Sequence, residues 1–252
     1  MLWYKSWLET RWRFYIGLGL LLLSAGGIVF VYPQVMKLLP RASELDTTGE
    51  LGQRIREGVE LARDYRGYIW SQWMRQNLAQ MATFFAIILG SGGPYAQRSE
   101  LFTLSLPASR QEVVRVRALA GLGELLVIVF ISTLAIPLVS PSVGQSYSVV
   151  SALVHALCAF VASAAFFSLA TLLSTSFSDI WRPLLIACAV AAVLWLAGQV
   201  IRDLAPYNIF TVMNGEQYFR SGQLPWVGLV VSAALSAAML YAAGTNIERR
   251  DF

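Results

Sequence analysis

Residues 149–173 read VVSALVHALCAFVASAAFFSLATLL, 25 positions without a Lys, Arg, Asp or Glu. The hydrocarbon core of a bilayer is about 30 Å thick, and roughly 20 mostly apolar residues cross it as a helix. Val149 to Leu173 has that length and no polar surface to offer water. Ala152, Ala156, Ala159 and Ser163 recur on one helical face. Small residues at this spacing let helices approach closely in lipid. The segment therefore predicts a membrane helix packed among others.

Working outward, four more apolar runs are long enough to cross: Phe14 to Tyr32, Ala118 to Val139, Leu184 to Ile201 and Trp226 to Ala243. The last carries its own small-residue face, Gly228, Ser232 and Ser236. A sixth, Tyr68 to Gly90, is mixed, because Gln72, Arg75, Gln76, Asn77 and Gln80 crowd its first half. Leu78 to Gly90 alone is too short to cross, so the polar half must enter the membrane with it. Gln72, Gln76, Gln80 and Thr83 fall at steps that share one face of an α-helix. Such a stripe suits a wall turned toward other helices or a wet cavity, and these residues are candidates for a translocation path. The expected fold class is an all-α membrane protein, with six transmembrane helices in one domain spanning 1–252.

Composition agrees. Of the 252 residues, 56% are apolar and 13% charged, and the mean hydropathy is +0.57. Soluble domains carry about 25% charged residues. Too little polar surface remains for a soluble enzyme, a disordered chain or a secreted disulfide scaffold. Cys158 and Cys188 lie in apolar runs and read as small buried hydrophobes. The net charge of +4 is spread over span ends, with only Lys5 and Lys37 as lysines, so no nucleic-acid partner is expected.

Orientation follows from Lys and Arg near the span ends. Lys5, Arg11, Arg13, Arg98, Arg110, Arg115, Arg117, Arg182, Arg249 and Arg250 fall on one side, and Arg202 and Arg220 on the other. Six further bases on that second side lie within 33–67 and are balanced there by six acids. Both termini are accordingly expected in the cytoplasm, in a multi-pass protein of the inner membrane. The basic start and the small residues Ser24 to Gly27 resemble a signal peptide, but the apolar run continues to Tyr32, which predicts an uncleaved anchor.

Four connecting segments carry further patterns. Residues 1–13 alternate aromatics and bases, as in a helix lying in the headgroup layer against membrane lipid. Residues 33–67 place Leu51, Ile55, Val59 and Ala62 on one face, predicting an extracytoplasmic amphipathic helix. Residues 91–112 form a cytoplasmic loop. There Gly92, Gly93 and Pro94 break a helix, Ser99 can cap a short one ending at Pro107, and Ser109 with Glu112 makes a capping box. Residues 202–225 are half apolar, with Ile209, Phe210, Val212, Met213, Tyr218 and Phe219, and predict short helices dipping into the outer leaflet.

Chemistry is sparse. A P-loop needs Gly-Lys, and neither lysine follows a glycine. Leu89 to Gly93 reads as a helix-breaking turn. His155 has Cys158 at i+3, but two ligands without a carboxylate make a poor metal site. The lone histidine reads as a hydrogen-bonded packing residue, and no Ser-His-Asp set can be assembled around it. Glu124 lies within a span, where an unpaired acid costs on the order of 3 kcal/mol. Two roles stay open for it: pairing with Arg75 or Arg117, or lining a substrate path.

The loop Ser99-Glu100-Leu101-Phe102-Thr103-Leu104-Ser105-Leu106-Pro107-Ala108-Ser109-Arg110 resembles the cytoplasmic loop of ABC-2 type transporter permeases, where a Leu-Ser-Leu-Pro-[Val/Ala]-Ser-Arg segment precedes the third span. The basic aromatic start resembles that family's elbow helix, and the tail Asn246-Ile247-Glu248-Arg249-Arg250-Asp251-Phe252 resembles its Glu-x-Arg-Asp-Phe ending. Family members often carry an acid followed by Gly-Thr ahead of Leu-Ser-Leu-Pro; this chain has no Gly-Thr there. The resemblance implies the permease subunit of an ABC exporter, with no catalytic residue and no cofactor of its own. Two permease chains, identical or related, would pair around a central path. ATP and Mg would be held by a dimer of separate ATPase subunits. Each ATPase would receive a coupling helix whose surface is Arg98, Glu100, Leu101, Phe102, Leu104 and Leu106. The rival expectations are a membrane enzyme using Glu124 and His155, and a membrane anchor or sensor subunit of a soluble complex.

Overall fold

The computed structural model describes residues 2–43, 58–92, 109–177, 179–200 and 208–248. Among these residues the chain is built from helices and short turns, with no strand. It is an all-α, multi-pass membrane protein. Helix α1 is Leu2–Ser43. Helix α2 is continuous but composite: an α-helical turn Tyr65–Ile69, a π-helical run Trp70–Leu78 and an α-helix Ala79–Gly90. Then come α3 (Arg110–Val139), α4 (Val149–Ser176), α5 (Trp181–Val200), the short α6 (Ile209–Met213) and α7 (Glu216–Ser221), and α8 (Trp226–Glu248).

Five helices are long and apolar enough to cross a membrane: α1, α3, α4, α5 and α8. They are the five strong runs of the sequence. Helix α2, the expected sixth, does not meet that criterion on its own, because its π-helical half is polar. The structure instead seats it inside the bundle, where Trp70, Trp73, Met74, Leu78, Ala82, Phe85, Ala86 and Ile87 are buried.

Helix α4 is the hub. In its most apolar stretch 67% of the residues are buried, against 17% to 39% for the other four long helices. It packs on α2, α3, α5, α6 and α8. Its small residues explain this, since Ala152, Ala156, Ala159, Ala162, Ser163 and Ala170 are fully buried and leave room for neighbouring backbones. The Gly90 carbon faces the Phe167 carbonyl and Ala170, and Gly121 faces the Phe167 ring. Helices α2, α3 and α4 thus meet around one phenylalanine. Its buried hydroxyls donate within the helix, Ser168 to Ala164 O at 2.8 Å and Thr171 to Phe167 O at 2.9 Å. They are satisfied locally and leave no polar wall.

The ends of the helices follow the sequence signals. Ser109 caps α3, its hydroxyl accepting from the Glu112 N–H at 3.2 Å, as the capping box predicts. Pro137 sits near the end of α3, which tightens into a 3-10 turn, Ser140–Val143, closed by Gly144 at φ +70°. The apolar 202–225 connection does hold two short helices, and Val212 and Met213 of α6 are buried against α4. At the C-terminal end Asn246 Nδ2 donates to Thr175 Oγ1 (2.9 Å) and Ser176 Oγ (3.1 Å), tying α8 to the end of α4.

Two boundary expectations are corrected. The aromatic start is helical but forms no separate helix at 1–13. It runs unbroken into span one, because nothing between Leu2 and Phe14 breaks a helix and Ser6 and Thr10 are buried. At its other end α1 continues past Pro33 to Ser43, so residues 33–43 extend the first long helix and do not begin a separate segment. Pro33 and Pro40 each remove one backbone donor, and the helix runs through both positions. Of the expected amphipathic helix, residues 58–63 are helical; Leu51 and Ile55 lie outside the described residues.

Candidate functional site: helix α2 and its two ends

At the C-terminal end of α2, four charged side chains converge from α1 and α3. Arg117 Nη1 donates to Glu9 Oε2 at 3.0 Å, and each side chain is only 18% exposed. Arg13 Nη1 donates to the Ile88 carbonyl at 3.0 Å, where the last carbonyls of a helix attract a cation. The Thr10 hydroxyl donates to Glu124 Oε1, while Glu124 Oε2 is buried without a partner. The guanidiniums of Arg117 and Arg13 both flank Gly92, the last described residue before the loop to α3. This polar knot therefore grips the point where α2 hands the chain to the 91–112 loop.

Of the two pairings expected for Glu124, neither is its hydrogen bond. Arg117 is taken by Glu9, and Arg75 lies elsewhere, 5.8 Å over the Trp70 ring. Thr10 fills the role. No local pattern points to it, because a threonine 114 positions away becomes a partner only when α1 and α3 pack.

Along α2 the π-helical run decides which side chains face outward. A π turn bonds i to i+5, so Arg75 comes to lie over Trp70 and Asn77 Nδ2 reaches the Gln72 carbonyl at 2.7 Å. Arg75, Gln76 and Gln80 are exposed, and Gln72 is half-buried. Thr83 leaves the stripe. It is buried, its hydroxyl donates to Ala79 O at 2.8 Å, and it lies 3.6 Å from Met213 Sδ. Gln80 and Thr83 both lie in the α-helical half, three residues apart and so about 60° apart around the axis, and the edge of the buried face falls between them; the π turns shift only Gln72 and Gln76, which lie within the run. Asn77 also accepts from Ser24 Oγ at 3.2 Å, linking α2 to α1. The result is a polar face on the outside of a single chain, at the depth of the neighbouring spans.

The opposite end of α2 holds an aromatic and polar cluster that sequence reading missed. Trp70 stacks on Phe219 of α7 with ring centroids 4.4 Å apart and planes within 6°. Arg66 lies 5.4 Å over the Phe219 ring, so each ring of the pair has a guanidinium above it. Trp70 Nε1 donates to the Asn214 carbonyl at 3.1 Å. Tyr65 and Ser140 hydroxyls are 2.6 Å apart, and the Tyr65 ring meets Tyr32 edge-on at 4.8 Å. His155 Nδ1 donates to Ser151 O at 2.7 Å, which leaves Nε2 a bare acceptor, buried beside Gly215 and the Tyr218 ring. The packing role expected for His155 is the one the geometry shows. The Tyr147 hydroxyl is buried without a partner, and burial pushes its pKa above the ordinary tyrosine value. Beside this cluster opens a cavity of about 390 Å³, lined by Glu60, Asp64, Trp70, Phe219 and Arg220 among others. Arg220 is paired with Glu216 at 2.8 Å. The signal for this cluster was the recurrence of Tyr65, Arg66, Tyr68, Trp70, Trp73 and Arg75, of which only Arg75 is named among the polar residues of the sixth run.

Among the described residues no group of three or more His, Cys, Asp or Glu side chains could hold a metal. Cys158 is buried and Cys188 half-buried, and both are free thiols. Arg98, Glu100, Leu101, Phe102, Leu104 and Leu106, the expected coupling surface, lie outside the described residues. Compared with known families, with curated proteins and with solved structures, the chain matches none.

Proposed function

We propose that the chain is the permease subunit of an ATP-driven ABC exporter of the cytoplasmic membrane, energised by a separate ATPase dimer. One observation supports this reading above the others: a polar face on α2 turned outward from a single chain. Exposed Gln76, Gln80 and Arg75 are costly against lipid acyl chains and acceptable against water or a second protein. Two copies meeting along α2 would enclose that face as a shared path, with α2 as the sixth crossing and both termini cytoplasmic. Glu124 then serves as part of the polar knot at the root of the coupling loop, so motion of that loop reaches α1 and α3 through Glu9–Arg117 and Thr10–Glu124. A ligand shifts such an equilibrium only by its different affinity for the two arrangements, so ATP on the partner must favour one of them. The cavity beside Trp70 and Phe219 opens at the far end, where cargo would leave.

The test is whether a P-loop ATPase co-purifies with the chain at one ATPase per permease, and whether Phe102→Ala uncouples the two. That variant should lose transport and transport-coupled ATP hydrolysis while inserting normally. Normal coupling in Phe102→Ala would remove the 98–106 surface from the mechanism. The second reading, a membrane anchor or sensor subunit, would instead tolerate apolar substitutions at Gln76 and Gln80.

A further inference from the structure

Arg115 and Arg117 stand two residues apart on α3 and meet opposite surroundings. Arg117 turns inward to Glu9. Arg115 is exposed and makes no ion pair among the described residues, Glu112 one turn away included. It sits at the mouth of a groove of about 240 Å³ between α3 and α8. The groove is graded along its length. Gln111, Arg115 and Thr245 line the end near the helix termini, and Leu119, Leu122 and Leu240 line the part deeper in the spans. Gly244 borders it on open space, with nothing within 4 Å of where its Cβ would be. Tyr241 beside it is 76% exposed and has the amphipathic ring that belongs at a headgroup boundary.

We infer that this groove binds one anionic phospholipid, its phosphate on Arg115 and one acyl chain on Leu119, Leu122 and Leu240. The gradient carries the assignment, because a guanidinium at the membrane surface above an apolar furrow matches a headgroup above a chain. Basic pockets between spans select anionic headgroups in this way. A zwitterionic headgroup would bring an ammonium as well, and among the described residues no carboxylate lines the groove to receive it. The groove opens to the bilayer, so its occupant is already at hand and no protein partner has to be recruited. The site does not depend on the transport proposal, because it involves neither the 98–106 coupling surface nor the face of α2.

The experiment is native mass spectrometry of the full chain with dioleoyl phosphatidylglycerol, with dioleoyl phosphatidylcholine of the same chains, and with inorganic phosphate. One phosphatidylglycerol per chain should be retained at concentrations where phosphatidylcholine and phosphate are not. Arg115→Gln, at an exposed position that should not affect folding, should weaken phosphatidylglycerol retention about fivefold and leave phosphatidylcholine unchanged. Leu119→Trp, at a position 57% exposed, should block the furrow and lower retention of the lipid without loss of thermal stability. Equal retention of the two lipids, an Arg115→Gln variant that still prefers phosphatidylglycerol, equal binding of free phosphate, or a second copy of the chain cross-linked over Leu119 would each overturn the site.

Discussion

The Thr10 hydroxyl donates to the Glu124 carboxylate across the interface between α1 and α3. Both residues are buried, and the second carboxylate oxygen has no partner. Thr10→Ala should therefore destabilise the bundle by about 1–3 kcal/mol, the cost of leaving a buried acceptor unsatisfied. Thr10→Ser keeps the donor and should recover most of it. Thermal unfolding of the two variants in one detergent checks this, and equal midpoints would show that water or an alternative donor serves Glu124.

Gly90 and Gly27 give a paired test of close packing. A Cβ on Gly90 would run into the backbone carbonyl of Phe167 and the Ala170 methyl, neither of which can swing away. Gly90→Ala should force α2 off α4, with a loss of at least about 1–3 kcal/mol typical of overpacking. Gly27 lies on the exposed side of α1 with nothing within 4 Å. Gly27→Ala should be neutral or stabilising by up to about 1 kcal/mol, since alanine is the better helix former. A melt in which both variants behave alike would contradict the α2–α4 contact.

The five strong spans were legible because length and apolarity act locally; each boundary lies within a turn or two of where hydropathy places it, except at the start of α3, which comes eight residues before Ala118, and in α1. There the helix extends in both directions, since hydropathy marks the oily stretch and has nothing to say about where a helix of good formers stops. The small-residue face Ala152, Ala156, Ala159 and Ser163 was legible for the same local reason, and it is the buried face of the hub. Thr83 was misplaced because a step of three turns a side chain about 60° from its neighbour on a helix, enough to carry it from the exposed edge at Gln80 onto the face that packs on Met213. The Thr10–Glu124 bond and the Trp70–Phe219 stack were illegible, as each joins residues more than a hundred positions apart that no local pattern connects.

The outward polar face of α2 separates transport from anchoring. Gln76→Leu combined with Gln80→Leu replaces exposed amides by apolar groups of similar size. If two copies enclose a wet path there, the double variant should insert and melt normally yet lose at least about tenfold in transport, because an apolar lining no longer holds water in the path. Measured in reconstituted vesicles with the partner ATPase, unimpaired transport would show that this face borders something other than the path.

Tyr147 gives a pH prediction. Its hydroxyl is buried without a partner between α3 and α4, and desolvation raises its pKa above the usual value of 10.0. The folded chain therefore holds the phenol proton more tightly than the unfolded chain does. The resulting stability is fully present below pH about 10, where tyrosine stays protonated in both states, and is lost as pH climbs from there toward the raised folded value. Tyr147→Phe removes both the titration and the unpaired hydroxyl while keeping the ring. It should melt at or above the temperature of the parent at pH 7 and lose less on moving to pH 11. Unfolding midpoints of parent and variant across pH 8 to 11 decide the matter: parallel curves would mean that the alkaline loss comes from other groups and that the Tyr147 hydroxyl is reached by water.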